Sequence, residues 1–209
     1  MSRPTSAVDL CNLALGELGA KVISSITTPK TAEESVCARR YDATRRAVLR
    51  MHIWNFAKRR VLLPRSGAPA FDFTDQYPLP NDYIRFADAK VATDGDIGKD
   101  DYDIADGFYM ANAGGVTGVQ FSYIYDHDTI AKWDPLFLRL FVLYLAKDMS
   151  YELTRKSAVK ESILSEINLI EGRVRGIDGQ ERPPIRREYS KFLGARSSRT
   201  DSSRLNGIH

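Results

Sequence analysis

The chain has 209 residues, 43% of them hydrophobic and 27% charged, with a net charge of +3. That composition fits one domain, or a domain with a sizeable insertion, and excludes collagen-like, coiled-coil and wholly disordered classes. The longest apolar run, Pro135 to Ala146, is interrupted by Arg139 and falls short of the roughly 18 residues a membrane span needs.

The first helix is expected to start at Ser6, where Asp9 three residues on makes a capping-box-like start. Val8, Cys11, Leu15 and Leu18 recur at helical spacing, and Gly19 supplies a stop. A similar box, Thr31 with Glu34, opens a second helix running to about His52. On its wheel Cys37, Tyr41, Thr44 and Val48 share one face, while Arg39, Arg46 and Arg50 lie opposite.

The period then changes from helical to two. Phe71 and Phe73 alternate with polar residues, Ile84 and Phe86 flank Arg85, and Val119, Phe121, Tyr123 and Tyr125 line one side of a strand. Turn chemistry at Pro78 to Asp82, Asp94 to Asp96, Asp106-Gly107 and Gly114-Gly115 separates these runs. Gly114 to Gly118 reads as a hairpin turn rather than a phosphate cradle.

Asp134-Pro135 opens a third helix as N-cap and first-turn proline. It is apolar almost all round and is expected to be the central core helix. A fourth starts near Ser157, with Ile163, Ile167, Ile170 and Val174 as its stripe and Gly176 as its end. From Glu181 there is no periodicity, two prolines, several serines and seven basic residues, a composition expected to order only on docking.

The fold class is therefore α+β: a four-helix bundle-like domain (1–53 and 134–180), an inserted antiparallel β domain (54–133) and an extended basic C-terminal docking arm (181–209). Charge is polarised along it. Residues 1–65 carry 12 Lys and Arg against 5 Asp and Glu, residues 66–133 carry 4 against 12, and residues 181–209 carry 7 against 3. Such polarity suits a protein that joins unlike surfaces or lies near nucleic acid.

A search for chemistry is mostly negative. Cys11 and Cys37 fall on apolar helical faces and read as core thiols, without a disulfide framework or a zinc signature. His127, within Asp126-His127-Asp128, reads as part of a polar turn. The acidic stretch from Asp94 to Asp106 misses the EF-hand pattern, since Ala105 takes a ligand place and Asp106 the glycine, and reads as solvated loop. No HExxH, GxSxG or Walker motif occurs. No catalytic, cofactor or metal residues are expected, and no enzymatic activity. The N-terminus lacks the apolar core of a signal peptide, so a cytoplasmic product is expected. The best positive feature is the Arg39, Arg46 and Arg50 stripe, extended by Lys58, Arg59 and Arg60, which faces either phosphates or a salt-bridged surface.

The literal residues go further. Cys11-Asn12-Leu13-Ala14-Leu15-Gly16-Glu17-Leu18-Gly19 is followed by Tyr41-Asp42, Arg45, Val48-Leu49-Arg50 and His52-Ile53-Trp54-Asn55-Phe56-Ala57. Leu79-Pro80-Asn81-Asp82-Tyr83-Ile84, Tyr125-Asp126-His127-Asp128 joined to Asp134-Pro135-Leu136-Phe137, and Ser190 to Arg196 come after. In order and spacing these resemble the phage tail tubular protein A family, the head-to-tail adaptors of short-tailed phages. Ile53 stands where proline is usual, and Phe192 or Leu193 where the family has Trp.

The resemblance implies a virion protein of the tail or neck, made in the host cytoplasm. It implies a homo-oligomeric ring, a dodecamer, between the portal protein and a nozzle of the tail tubular protein B type, with genomic DNA passing through the lumen without sequence specificity. It implies no membrane and no cofactor. The arm would dock on the portal through Arg186, Arg187, Tyr189, Phe192, Leu193 and Arg196, and Trp54-Asn55-Phe56 would anchor the second helix to the β part. Arg39, Arg46 and Arg50 become candidates for a subunit interface, with Glu161, Glu166 or the acidic β loops as partners, or for a DNA-facing surface. The alternative is a non-specific nucleic-acid-binding module using that stripe.

Overall fold

A computed structural model describes residues 3–91 and 102–180. It is a mixed α+β chain with four helices and two antiparallel three-stranded sheets. The chain up to Asp178 clusters as one compact unit. No described helix is long and apolar enough to cross a membrane.

Local signals set the helix starts. Helix α1 (Ala7–Glu17) begins at the Ser6–Asp9 box, and Gly19, at φ 64°, takes the left-handed conformation that ends it. Helix α2 (Ala32–Met51) begins at Thr31, whose hydroxyl accepts the Glu34 amide. The Glu34 carboxylate accepts backbone amides of Lys30 at 2.7 Å, Thr31 at 3.2 Å and Ser24 at 3.3 Å. Those bonds, Lys30 first, hold its pKa down to about 2 against the opposing effect of burial. Asn12 clamps the α1–α2 loop by accepting from Ile23 N at 2.7 Å and donating to Ile23 O at 3.1 Å.

Helix α3 (Pro135–Thr154) is the central core helix. Asp134 caps it by accepting from Leu136 N at 2.8 Å, and Phe137, Leu140, Phe141, Val142, Leu143, Leu145, Ala146 and Met149 are all buried. Helices α1 and α2 pack directly on it. Both cysteines are core thiols, and Cys37 Sγ lies 3.5 Å from Met149 Sδ. Helix α4 (Ser157–Gln180) joins the core through Ile163 and Ile167. It does not stop at Gly176. Gly172 and Gly176 stay helical because a helix-interior glycine costs only about 1 kcal/mol and neither takes a positive φ. Val174 lies among residues whose side chains are not described.

The strands form two facing sheets. The first has the order β1 (Lys58–Pro64), β6 (Gly118–Tyr125), β3 (Tyr83–Val91), and the second β2 (Asp75–Pro78), β5 (Phe108–Ala111), β4 (Tyr102–Ala105). Their inner faces share a core of Leu63, Ala89, Val119, Phe121 and Tyr123 against Tyr77, Tyr109 and Ala111. Asp106-Gly107, both at positive φ, makes the tight β4–β5 hairpin that the dipeptide predicts. Residues 102–105 are thus strand, not loop, and residues 92–101 lie outside the described residues.

Two other turns differ from the sequence reading. Gly114-Gly115 joins β5 of one sheet to β6 of the other, so it is a crossover and not a hairpin. Phe71 and Phe73 lie in a loop, with Phe71 76% exposed and Asp72 at φ 69°, and no described strand pairs with them. Asp75, fully buried at the start of β2, is held by Arg65 and by Thr74 and Gly115 at 2.7 and 3.0 Å. Burial alone would push its pKa up, but these hydrogen bonds outweigh it and hold the carboxyl below its usual value.

Candidate functional site

The polar side chains concentrate where the last turns of α2 meet the ends of β3 and β6. Arg45 falls on the apolar face of α2 with Tyr41, Thr44, Val48 and Leu49, all buried. Its guanidinium meets the Asp126 carboxylate at 2.5 Å, and Asp42 at 3.3 Å supports it. The second Asp126 oxygen accepts from Arg46 Nε at 2.8 Å. The Asp126 amide donates to Asp82 O at 2.8 Å, fixing the exit of β6 beside the turn that enters β3.

Asp82 in turn accepts from Tyr123 Oη at 2.8 Å and from Arg59, whose guanidinium lies 3.8 Å over the Tyr125 ring. Burial first, then the Asp82 bond, push the Tyr123 hydroxyl up to about 12. Arg50 donates to Ile84 O at 2.7 Å, and Arg85 reciprocates to Arg50 O and Met51 O at 2.9 and 2.7 Å. Two bulges in β3 let Ile84 turn to the helical core while Phe86 stays between the sheets.

Beneath this network lies an aromatic cluster. Trp54 is buried, donates from Nε1 to Val48 O at 3.0 Å and meets Phe137 edge-on at 5.0 Å. Phe56 lies 4.8 Å from Phe137, ring centre to ring centre. The Trp54-Asn55-Phe56 segment therefore sits where helix hands over to strand.

His127 is not a polar-turn residue. It is 1% exposed, stacked on Tyr125 at 4.9 Å and 5.6 Å from Phe56. Its Nδ1 accepts from Thr129 N at 3.2 Å, and its buried Nε2 has no hydrogen-bond partner among the described residues. Burial lowers its pKa; Asp128 opposes the shift, while Lys132, Arg45 and Arg59 add to it.

The stripe residues lie on one exposed face of α2, each with an intramolecular partner. Arg39 pairs with Glu152, Arg46 with Asp126 and Arg50 with the Ile84 carbonyl. Arg39 and Arg46 remain 58% and 59% exposed at the side chain. Glu166 is engaged at 2.6 Å by Arg139, which also reaches Glu17 at 2.5 Å and so ties α1, α3 and α4 together. The extension through Lys58, Arg59 and Arg60 is split by strand alternation, Arg59 facing Asp82 and Lys58 and Arg60 facing the opposite side. Arg186, Arg187, Tyr189, Phe192, Leu193 and Arg196 lie outside the described residues.

Sequence reasoning had not singled out Arg45 and Asp126 as a pair. The signal for the first was a charged residue at helical spacing on an apolar face. Among the described residues no group of three or more His, Cys, Asp or Glu is placed to hold a metal ion. The outer face of the first sheet carries an open basin of about 460 Å³, lined by Lys58, Arg60, Asp88, Lys90, Gln120 and Ser122. No protein-family model matches the chain, and no curated protein sequence matches it.

Proposed function

We propose that the chain is a head-to-tail adaptor of the short-tailed phage type, a ring subunit between a portal and a tail nozzle around a channel for genomic DNA. One observation carries this reading. Residues that bear the resemblance, among them Arg45, Trp54, Phe56, Asp82, Asp126 and Phe137, are far apart in sequence yet build one seam. Their chemistry goes into fixing a sheet layer against a helical layer. That serves a part holding two partners in a fixed relation, and the charged side chains of the seam pair with one another.

In this reading the four helices form the bundle-like body of the ring and the β part projects from it. Residues 181–209 form the arm that docks on the portal, with Arg186, Arg187, Tyr189, Phe192, Leu193 and Arg196 as contacts. The protein resides in the virion neck. Mixing the purified chain with the portal protein of the same genome and weighing the product by native mass spectrometry tests it. A discrete complex holding a closed ring of this chain is the expected result. A chain that stays monomeric beside an intact portal would overturn the proposal.

A further inference from the structure

The outer face of the second sheet carries a groove that takes no part in the seam. Strand alternation turns Tyr109 and Ala111 of β5 inward, to the core between the sheets, and leaves Phe108 and Met110 half-buried on the outside. The register sets Phe108 opposite Ala105 and Met110 opposite Asp103. The loop before β2 completes a cavity of about 310 Å³ there with Phe71 and Phe73. Phe71 is 76% exposed. A strained turn holds it out: Phe73 N donates to Phe71 O at 2.9 Å around Asp72, whose φ of 69° makes this the rare form of the γ-turn.

Three carboxylates, Asp72, Asp103 and Asp106, rim the groove. Among the described residues none of them meets a cation, and the one bond their side chains make is Asp103 Oδ1 accepting the Ile104 amide. In this they differ from Asp75, Asp82 and Asp126, each of which pairs with an arginine. A centre of phenylalanine and methionine inside a polar rim is the anatomy of a surface that takes a protein partner.

We infer that this groove holds residues 186–193 of a neighbouring copy of the chain until the portal takes them. That segment reads Arg186-Arg187-Glu188-Tyr189-Ser190-Lys191-Phe192-Leu193. Its three cations answer the three carboxylates of the rim, and such complementarity selects the partner and fixes its register. Tyr189, Phe192 and Leu193 supply apolar anchors for the centre. Nucleic acid or an anionic lipid surface meets like charge at the rim, which sets both aside. Groove and portal draw on the same side chains, so they compete for the segment. The groove keeps it occupied in free chains, and the portal releases it by binding it more tightly. The inference rests on the adaptor reading for the segment's later partner and for the presence of a neighbour.

The test is carbodiimide cross-linking of the full chain without portal, as an equal mixture of unlabelled and nitrogen-15-labelled protein. The reagent joins a carboxylate to an amine in contact with it, and Lys191 is the one lysine of residues 181–209. Mass spectrometry is expected to find Lys191 joined to Asp72, Asp103 or Asp106 in peptide pairs that carry both labels. Phe71→Ser is expected to lower the yield about tenfold, the loss of an anchor worth about 1.4 kcal/mol, with the unfolding midpoint unchanged because Phe71 is exposed. Arg186→Gln leaves both cross-linked groups in place and should lower the yield in the same direction. Leu62→Ser, an exposed apolar change on the first sheet, should leave it at the wild-type value. No cross-link from Lys191 to these three carboxylates, pairs confined to a single label, or a yield that Phe71→Ser leaves unchanged would each overturn the inference. Portal is absent throughout, so a failure here leaves ring formation with the portal untouched, and the two proposals fail separately.

Discussion

Arg45 decides how the seam is held. Its side chain is 6% exposed, and that of its partner Asp126 19% exposed, so the pair sits in a region where an uncompensated charge is costly. Asp126→Ala leaves the Arg45 guanidinium buried with only Asp42 at its edge. Removing one partner of a buried pair costs about 3–5 kcal/mol; with Asp42 and solvent relieving part of it, a loss of about 3 kcal/mol in urea unfolding is expected. A loss below about 1 kcal/mol would show the pair to be a surface bridge. Two groups with shifted pKa values contribute to the pH dependence of stability. His127 is buried neutral and its pKa is lowered, so it contributes stability above its unfolded pKa of about 6.5 that is lost as pH falls through the folded value. Glu34, held at about 2, contributes above its unfolded value of about 4.3 and loses it as pH falls toward 2. Melting curves of His127→Phe and Glu34→Gln should separate these windows. The first flattens the decline beginning near pH 6.5 and the second the decline below about pH 4.3. A wild-type profile retained in both variants would remove both assignments.

At the scale of elements, α3 carries the helical core. Phe141 is fully buried, with Tyr41 at 5.4 Å and Trp133 at 5.3 Å, both edge-on. Truncation removes the transfer energy of the ring and leaves a cavity that three helices limit from closing. Phe141→Ala is therefore expected to cost about 3–5 kcal/mol, read as a drop in unfolding midpoint. An unaffected midpoint would mean the ring does not contribute to the core. The helix starts were legible in the sequence because their determinants are local. Ser6 with Asp9, Thr31 with Glu34, and Asp134 with Pro135 are each complete within four residues. The Asp106-Gly107 hairpin was legible for the same reason. What escaped depends on contacts distant in sequence. Gly114-Gly115 has the chemistry of any turn, and only strand pairing makes it a crossover. Phe71 and Phe73 alternate correctly, but no described strand pairs with them. His127 has polar neighbours in sequence and aromatic ones in space. Arg45 and Asp126 stand 81 positions apart, and nothing local announces which carboxylate an arginine will meet.

At the scale of the molecule, part of the polarised charge of the sequence is used within the fold. Arg45, Arg46, Arg59 and Arg65 come from the basic first segment, and their partners Asp126, Asp82 and Asp75 from the acidic middle one. The unlike surfaces that the sequence suggested are therefore first of all two layers of one chain. The basic excess of residues 181–209 has a different standing. The buried hydrophobic residues of both described clusters run from Leu10 to Ile167. If residues 181–209 act as a docking arm, removing them should change stability by no more than a surface substitution does, about 0.5 kcal/mol, or about 1–2 °C in melting midpoint for a chain of this length. In the adaptor reading the same deletion abolishes capture of the portal, because the arm supplies the contacts. Calorimetry of the truncated chain and its co-sedimentation with portal separate the two effects. A midpoint within about 2 °C of wild type together with lost co-sedimentation is the expected pair of results. A folded truncated chain that still sediments with portal would take the docking role away from residues 181–209 and place it on the surface of the folded unit.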